Sequence, residues 1–118
     1  PVVNAVGGHG FRWGGGFGFD VSVFGYPVNL NGGQIMWACW GTSGTGWIGA
    51  YEFNYIAGCN FGGGSSGGPW LDEYSNTTGL GYVRSVTSNG PTNSTAYIQG
   101  PYFDSRVNDL FVAANNDW

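Results

Sequence analysis

Residues 59–71 read Cys-Asn-Phe-Gly-Gly-Gly-Ser-Ser-Gly-Gly-Pro-Trp-Leu, with five glycines, two serines and a proline between a cysteine and an apolar pair. Glycine loses more backbone entropy on folding than any other residue, so a run this dense indicates an unusual backbone path. A serine nucleophile on a tight turn, with main-chain N–H groups directed at a developing oxyanion, requires such a path. The stretch therefore predicts Ser66 as a nucleophile and the N–H groups of Gly64 and Ser66 as an oxyanion hole.

Two other interpretations fit the same letters. A flexible linker is also rich in Gly and Ser, but linkers do not usually run straight into Pro-Trp-Leu, and a cysteine seven positions before Ser66 would be unusual in one. The sequence Gly64–Gly68 also fits G-x-S-x-G, the nucleophile elbow of α/β hydrolases, which needs a strand before it and a helix after it. Here glycines precede the serine and strand-forming residues follow it, so a catalytic turn between two strands is favoured.

Three segments carry a resemblance to a known family. Gly64-Ser65-Ser66-Gly67-Gly68-Pro69 resembles the nucleophile motif of chymotrypsin-like (trypsin-like) serine endopeptidases, with Ser65 where the common form has Asp. The longer Gly-Gly-Ser-Ser-Gly-Gly-Pro-Trp string is similar to a secreted, mostly bacterial branch. Phe24–Pro27 resembles the strand end that opens the second barrel, and Gly100–Ser105 resembles the segment that leads into the C-terminal helix. The resemblance covers about residues 20–115, which is only the second half of a complete protease.

The resemblance implies roles for residues outside the turn. Asn60, six positions before the nucleophile, would lie near the base of the primary specificity pocket. An amide there carries no full charge, so it does not favour Arg or Lys in the substrate. Ser88, Asn89 and Gly90 would form a pocket wall whose backbone pairs with the peptide or protein substrate as an added strand. The base His and the orienting Asp of the family lie in its first barrel, so this barrel is an expected partner, in the same precursor or in a second chain, and self-association is the alternative.

The bulk composition narrows the possible partners. The 118 residues suit one domain, with 42% hydrophobic residues, no lysine, three arginines and a formal net charge of -4. An acidic chain attracts neither nucleic acid nor an anionic membrane. The chain begins at Pro1 rather than Met, which suggests a processed product or a piece of a longer precursor. With one histidine and two cysteines, neither a metal site nor another cofactor is expected.

Cys39 and Cys59 could form one disulfide or remain two buried free thiols. A Gly-, Asn-, Ser- and aromatic-rich chain almost without basic residues is typical of an extracellular protein, which favours the disulfide and a secreted location. The resembled branch also has a cysteine at the position of Cys59.

The periodicity predicts an all-β fold. Phe17–Tyr26 alternates between apolar and small or polar residues, as a half-buried strand does. Further strands are predicted over residues 34–40, 47–55, 80–87 and 96–99, with a short strand from Trp70, a polar turn over 72–78 and loops over 41–46 and 88–95. Asp104 or Ser105 can cap a helix over about 105–115, whose apolar stripe contains Val107, Leu110, Phe111 and Ala114.

These elements predict a small antiparallel Greek-key barrel with one C-terminal α-helix. The resemblance implies the same architecture, the second barrel of a chymotrypsin-like fold. Residues 1–19 would be the inter-barrel linker and a first strand, and residues 20–118 the barrel domain. The only histidine, His9, lies in a Gly-rich context and is interpreted as an exposed loop residue. Asp20 is interpreted as a solvated carboxylate on a strand, and neither residue is assigned to a triad.

Two functions are compatible with these observations. The first is peptide-bond hydrolysis through an acyl-enzyme on Ser66, with a base supplied from outside this chain. The second is a catalytically silent half-barrel that binds a protein or a carbohydrate through its aromatic residues, which are 18% of the chain.

Overall fold

A computed structural model describes residues 2–91 and 97–115 of the chain. These residues form two α-helices and eight strands. In chain order the elements are α1 (Val2–Val6), β1 (Gly10–Phe11), β2 (Asp20–Gly25), β3 (Trp37–Thr42), β4 (Gly44–Ile48), β5 (Tyr51–Ala57), β6 (Pro69–Ser75), β7 (Leu80–Val86), β8 (Tyr97–Pro101) and α2 (Ser105–Asn115). Neither of these helices is long and apolar enough to cross a membrane.

The strands form two sheets, of five strands in the order β1-β7-β6-β2-β3 and of three strands in the order β4-β5-β8. Neighbouring strands are antiparallel, except that the short β1 runs parallel to β7. Only Ser43 separates β3 from β4, and Asn89, just after β7, pairs with Gln99 of β8. The two sheets are therefore connected at both places, and the predicted all-β fold with its C-terminal helix is confirmed.

The core lies where the alternation of β2 predicted it. Val21 and Val23 are buried, because they share the inward face of a strand that is paired on both sides, with β3 and with β6, and Phe19, just before the strand, is buried with them. The other members of this core come from β5, β6, β8 and the start of the Gly-rich stretch; they are Ile56, Cys59, Trp70 and Ile98.

The Cys39–Cys59 disulfide is confirmed, and its two Cα atoms lie 5.8 Å apart. It joins β3 to the first residue of the Gly-rich stretch. Cys59 is buried, and Phe61 packs against the same core. The beginning of the stretch is therefore fixed covalently and by packing.

The N-terminal residues differ from the predicted strand or linker, because Val2–Val6 form a helical turn. The N–H of Gly7 donates to the carbonyl of Val3, and Gly7 has a φ of +72°, as is common for the residue that ends a helix. The β-branched valines favour a strand intrinsically, which is why the sequence pattern gave the wrong element. The parallel pair of β1 with β7 also departs from the purely antiparallel prediction. The division of the chain at residue 19 remains a prediction.

Two segments have boundaries in the structure that differ from those predicted from the sequence. The single strand predicted over 47–55 is a hairpin of β4 and β5, because Gly49 has a φ of +59° and turns the chain with Ala50. The polar turn predicted from Asp72 begins later, since β6 continues to Ser75 through a register shift. The last strand is described only from Tyr97; Ala96 and positions 92–95 of the predicted loop lie outside the described residues.

An ion cluster around the buried Asp72 connects the segment before β2 to the five-stranded sheet. One carboxylate oxygen of Asp72 accepts hydrogen bonds from Arg12 at 2.8 Å and from Arg84 at 2.9 Å. Hydrogen bonds to Glu73 and Asp72 raise the pKa of Arg12 above its ordinary value. The Arg84 guanidinium lies 4.1 Å from the centre of the Phe19 ring, and it also donates to the carbonyls of Gly14 and Gly16.

Removing the central carboxylate of this cluster should strongly destabilise the fold. In Asp72→Ala, Arg84 stays buried without its carboxylate, and this uncompensated charge should lower the free energy of unfolding by about 3–5 kcal/mol. The matched control is Glu73→Gln, because the Glu73 side chain is 63% exposed and its ion pair with Arg12 should contribute less than about 1 kcal/mol. Urea unfolding of both variants measures the difference, and equal losses would contradict a structural role for Asp72.

Candidate functional site

The two serines of the Gly-rich turn have opposite environments. Ser65 is only 3% exposed, and its hydroxyl donates a hydrogen bond of 2.6 Å to the carbonyl of Gly62. Ser66 is exposed, and its hydroxyl makes no hydrogen bond with the described residues. The turn therefore uses Ser65 as an internal support and presents Ser66 at the surface.

The backbone N–H groups of the turn divide in the same way. Those of Ser65, Gly67 and Gly68 donate within the protein, to the carbonyls of Gly62, Thr87 and Ser65 at 3.4, 2.8 and 3.0 Å. Within residues 2–91 and 97–115, the N–H groups of Gly64 and Ser66 find no acceptor. The Gly63 N–H, earlier in the stretch, finds none there either; Gly64 and Ser66 carry the two unpaired donors that flank Ser65. Such a pair can stabilise an oxyanion that forms next to the Ser66 hydroxyl.

Close backbone contacts explain two of the glycines. Gly64 has a φ of +89°, and a Cβ there would lie 2.8 Å from the carbonyl oxygen of Tyr26. A Cβ on Gly68 would overlap the carbonyl oxygen of Phe24. The turn therefore packs against the end of β2 through its backbone, at a distance that only glycine allows.

Two cavities meet at Ser66. The smaller has a volume of about 320 Å³ and has no charged residue in its lining, which consists of Phe61, Gly62, Gly63, Ser65, Ser66, Thr87, Ser88, Asn89, Gly90 and Pro91. The larger, of about 430 Å³, is more apolar; its lining includes Phe24, Tyr26, Met36, Pro69, Leu71 and Tyr74 together with His9 and Ser66. The exposed Ser66 hydroxyl therefore borders two separate cavities.

The predicted pocket residues lie only partly at these cavities. Ser88, Asn89 and Gly90 line the smaller one. Both backbone groups of Asn89 are paired with Gln99, and the Ser88 N–H donates to the Gln99 carbonyl, whereas the Gly90 N–H makes no backbone bond with the described residues. Asn60 is not in the lining of the smaller cavity; its side-chain and main-chain oxygens accept from Asn29 at 2.9 and 3.1 Å. The pocket roles of all four residues remain predictions.

His9 shares the larger cavity with Ser66, but its hydrogen bond does not suit it to serve as a base. The ring Nδ1 accepts from the Gly81 N–H at 3.4 Å, so in the neutral imidazole the proton is on Nε2. A serine base needs a nitrogen that is free to accept a proton. Asp20 accepts from Thr42 at 2.9 Å and lines a different groove, one formed by the outer faces of β2, β3 and β6. Among the described residues, no cluster of His, Cys, Asp and Glu could hold a metal ion.

One residue that contacts the Gly-rich stretch could not be identified from the sequence. Asn29 accepts from the Gly62 N–H at 2.8 Å and donates to both oxygens of Asn60. The pair Asn29 and Gly62 is 33 positions apart, and no local motif includes both residues.

Two solved structures are similar to the chain over most of its length. One is the thermostable serine protease AL20 from an extremophilic microorganism, with 34% sequence identity and a TM-score of 0.80, covering 96% of this chain and 51% of that one. The other is the protease Anisep from Arthrobacter nicotinovorans, with 31% identity and a TM-score of 0.76, covering 92% of this chain and 48% of that one. The chain thus spans about half the length of each protease. No protein-family model and no curated protein sequence matches it.

These similarities confirm the predicted architecture. The chain has the fold of the C-terminal barrel of a chymotrypsin-like serine protease.

The glycine contacts give a direct test of the turn. Gly68→Ala should lower the free energy of unfolding by about 1–3 kcal/mol, because the new methyl group must displace the Phe24 carbonyl. Gly63→Ala is the matched control: a Cβ there meets no atom within 4 Å, and Gly63 is not among the glycines of positive φ. The control should be neutral or slightly stabilising, and thermal unfolding of both variants checks the pair. Equal stability of the two variants would show that the contact does not constrain the turn.

Proposed function

We propose that this chain is the nucleophile-bearing half of a secreted, trypsin-like serine endopeptidase. The observation that carries the proposal is the exposed Ser66 beside two unpaired N–H groups, at the junction of two cavities. The similarity to the serine protease AL20 and to the protease Anisep supports it independently. The disulfide, which persists in oxidising compartments, supports the extracellular location.

The reaction would proceed through an acyl-enzyme. The Ser66 Oγ attacks the carbonyl carbon of the peptide bond while its proton passes to a histidine base. The carbonyl oxygen becomes an oxyanion that the N–H groups of Gly64 and Ser66 stabilise. The tetrahedral intermediate then collapses, the C–N bond breaks, and the leaving amine takes the proton from the imidazolium. Water, activated by the same base, hydrolyses the ester and restores the Ser66 hydroxyl.

The histidine base and the aspartate that orients it would come from a first barrel, in the same precursor or in a second chain. The chain spans only about half of each similar protease, and His9 already uses its Nδ1 as an acceptor. The larger cavity has exposed apolar side chains at its edge, with Tyr26 51% and Met36 54% exposed. Apolar surface of this kind favours burial against a partner.

The smaller cavity supports a preference for an uncharged substrate side chain. Its lining contains no carboxylate that would pair with Arg or Lys and no cation that would pair with Asp or Glu. A buried charge without a partner is costly, so the cavity should favour neutral residues next to the cleaved bond. The Ser88 carbonyl and the Gly90 N–H, which make no backbone bond with the described residues, would pair with the peptide as an added strand.

A second candidate is a binding module without catalysis. The strand register places Tyr51, Phe53 and Tyr55 on the face of the three-stranded sheet opposite the buried Asn54 and Ile56, beside Ile48 of β4. Tyr51 is 73% exposed, and Tyr55 contacts Tyr97 with ring centres 5.1 Å apart. Aromatic side chains in such a row could bind a protein or a carbohydrate.

Labelling with a fluorophosphonate distinguishes the two candidates. Intact-mass spectrometry of the natural protein should show one adduct, and peptide mapping should place it on Ser66. The adduct and all peptidase activity should disappear in Ser66→Ala. The control is Ser105→Ala, which changes another exposed serine at the start of α2 and should leave both signals intact. Retained proteolysis in Ser66→Ala would refute the proposal, and an absence of adduct in the natural protein would favour the binding module.

A further inference from the structure

We propose that Asn29 is a positioning residue for the oxyanion hole, an inference that rests on the proposed function. Asn29 connects two points of the Gly-rich stretch. Its side-chain oxygen accepts from the Gly62 N–H at 2.8 Å, and its side-chain nitrogen donates to the Asn60 carbonyl at 3.1 Å and to the Asn60 side-chain oxygen at 2.9 Å. One amide thus fixes the two residues that flank Phe61, just before the turn begins.

The element that carries Asn29 is itself well anchored. Pro27 is fully buried, and the Leu30 N–H donates to its carbonyl at 3.1 Å, which closes a turn around Val28 and Asn29. The Val28 N–H donates to the Gly63 carbonyl at 2.7 Å. The turn at residues 27–30 therefore contacts the Gly-rich stretch by backbone and by side chain on consecutive residues.

These contacts determine the direction of the next peptide units. Gly62 is held through its N–H by Asn29 and through its carbonyl by Ser65, and Gly63 is held through its carbonyl by Val28. The Gly63 carbonyl and the Gly64 N–H belong to one planar peptide, so the Val28 contact orients that peptide directly, and Asn29 and Ser65 hold the two peptides before it. The N–H of Gly64 is left without a protein acceptor among the described residues. Glycines rotate easily, so a donor next to three of them needs such external restraint to point at an oxyanion.

The space around Gly62 shows how closely the amide fits. A Cβ on Gly62 would lie 2.6 Å from the side-chain oxygen of Asn29. Gly62 does not have a positive φ, so the contact with Asn29, rather than the backbone conformation, excludes a larger residue there. Gly62→Ala should accordingly disturb the same contact from the other side.

The first test compares Asn29→Ala with the natural sequence in the natural protein. A donor that is misplaced by about 1 Å can cost up to about 100-fold in rate, so fluorophosphonate labelling of Ser66 and kcat should each fall about 10- to 100-fold. KM should change less than kcat, because Asn29 itself is not in the lining of either cavity at Ser66. The control Gln34→Ala removes an amide that bonds only to Gly32, in the same connection between β2 and β3, and it should leave the rates unchanged.

Two further variants separate positioning from simple loss of folding. Asn29→Asp keeps an oxygen for the Gly62 N–H but loses the donor to Asn60, so its labelling rate should fall between those of Asn29→Ala and the natural sequence. The double variant Asn29→Ala/Gly62→Ala should be no slower than the slower single variant, since both changes remove one contact. Labelling at the natural rate in Asn29→Ala, or full additivity in the double variant, would overturn the proposal.

Amide hydrogen exchange tests the positioning role of Asn29 without requiring catalysis. If the natural protein takes no fluorophosphonate, the proposed peptidase fails, but exchange can still be measured. Asn29→Ala should then increase the exchange of the Gly62 amide at least about tenfold, and Gln34→Ala should not. Unchanged exchange at Gly62 would refute the positioning role, whatever the outcome of labelling.

Discussion

The position of Ser66 depends on a close backbone contact between the Gly-rich turn and the end of β2. Three glycines mediate the contact: a Cβ on Gly68 would overlap the Phe24 carbonyl, a Cβ on Gly64 would lie 2.8 Å from the Tyr26 carbonyl, and a Cβ on Gly25 would lie 3.1 Å from the Ser65 Cβ. Because β2 is paired on both sides and its inward face forms the core, the turn is held against a rigid element. At Gly64 and Gly68 the requirement for glycine follows from this proximity rather than from flexibility.

The few charged residues include a cluster that holds a Gly-rich segment against the core. Only 8% of the residues are charged, yet Arg12, Asp72 and Arg84 form one cluster. The segment that they hold, residues 12–16, contains three consecutive glycines and can bury little apolar surface. Arg84 bonds to two carbonyls of this segment while it covers the Phe19 ring, so it joins the segment to the core through both kinds of contact.

Local patterns predicted those parts of the structure that depend on local physics. The alternation in β2, the Asp104 cap of α2 and the compositional argument for the disulfide each required only nearby residues or composition, and each agrees with the structure. The sequence pattern misses helix α1 because its valines favour strands, and all its residues are exposed, so no packing contact accounts for the helix. The β4–β5 hairpin was missed because a single Gly49 in an otherwise continuous strand pattern was not interpreted as a turn. Asn29 could not be found at all, since its importance comes from a partner 33 positions away.

The candidate site, too, depends partly on local sequence and partly on contacts between residues that are far apart in the chain. The glycines around Ser66 predict a constrained turn, but only the hydrogen bonds of the structure show which backbone N–H groups remain unpaired. The hydrogen bonds also bear on which barrel supplies the base that accepts the Ser66 proton. Anion-stabilising N–H groups and a substrate cavity can be built from one barrel, because they need only backbone and neutral side chains. A base needs a titratable side chain with a free acceptor nitrogen, and His9, the only histidine in the chain, directs its Nδ1 to the Gly81 N–H. Under the proposed function, the chemistry is therefore divided between charge stabilisation in this barrel and proton transfer from its partner, and neither part alone would hydrolyse a peptide bond efficiently.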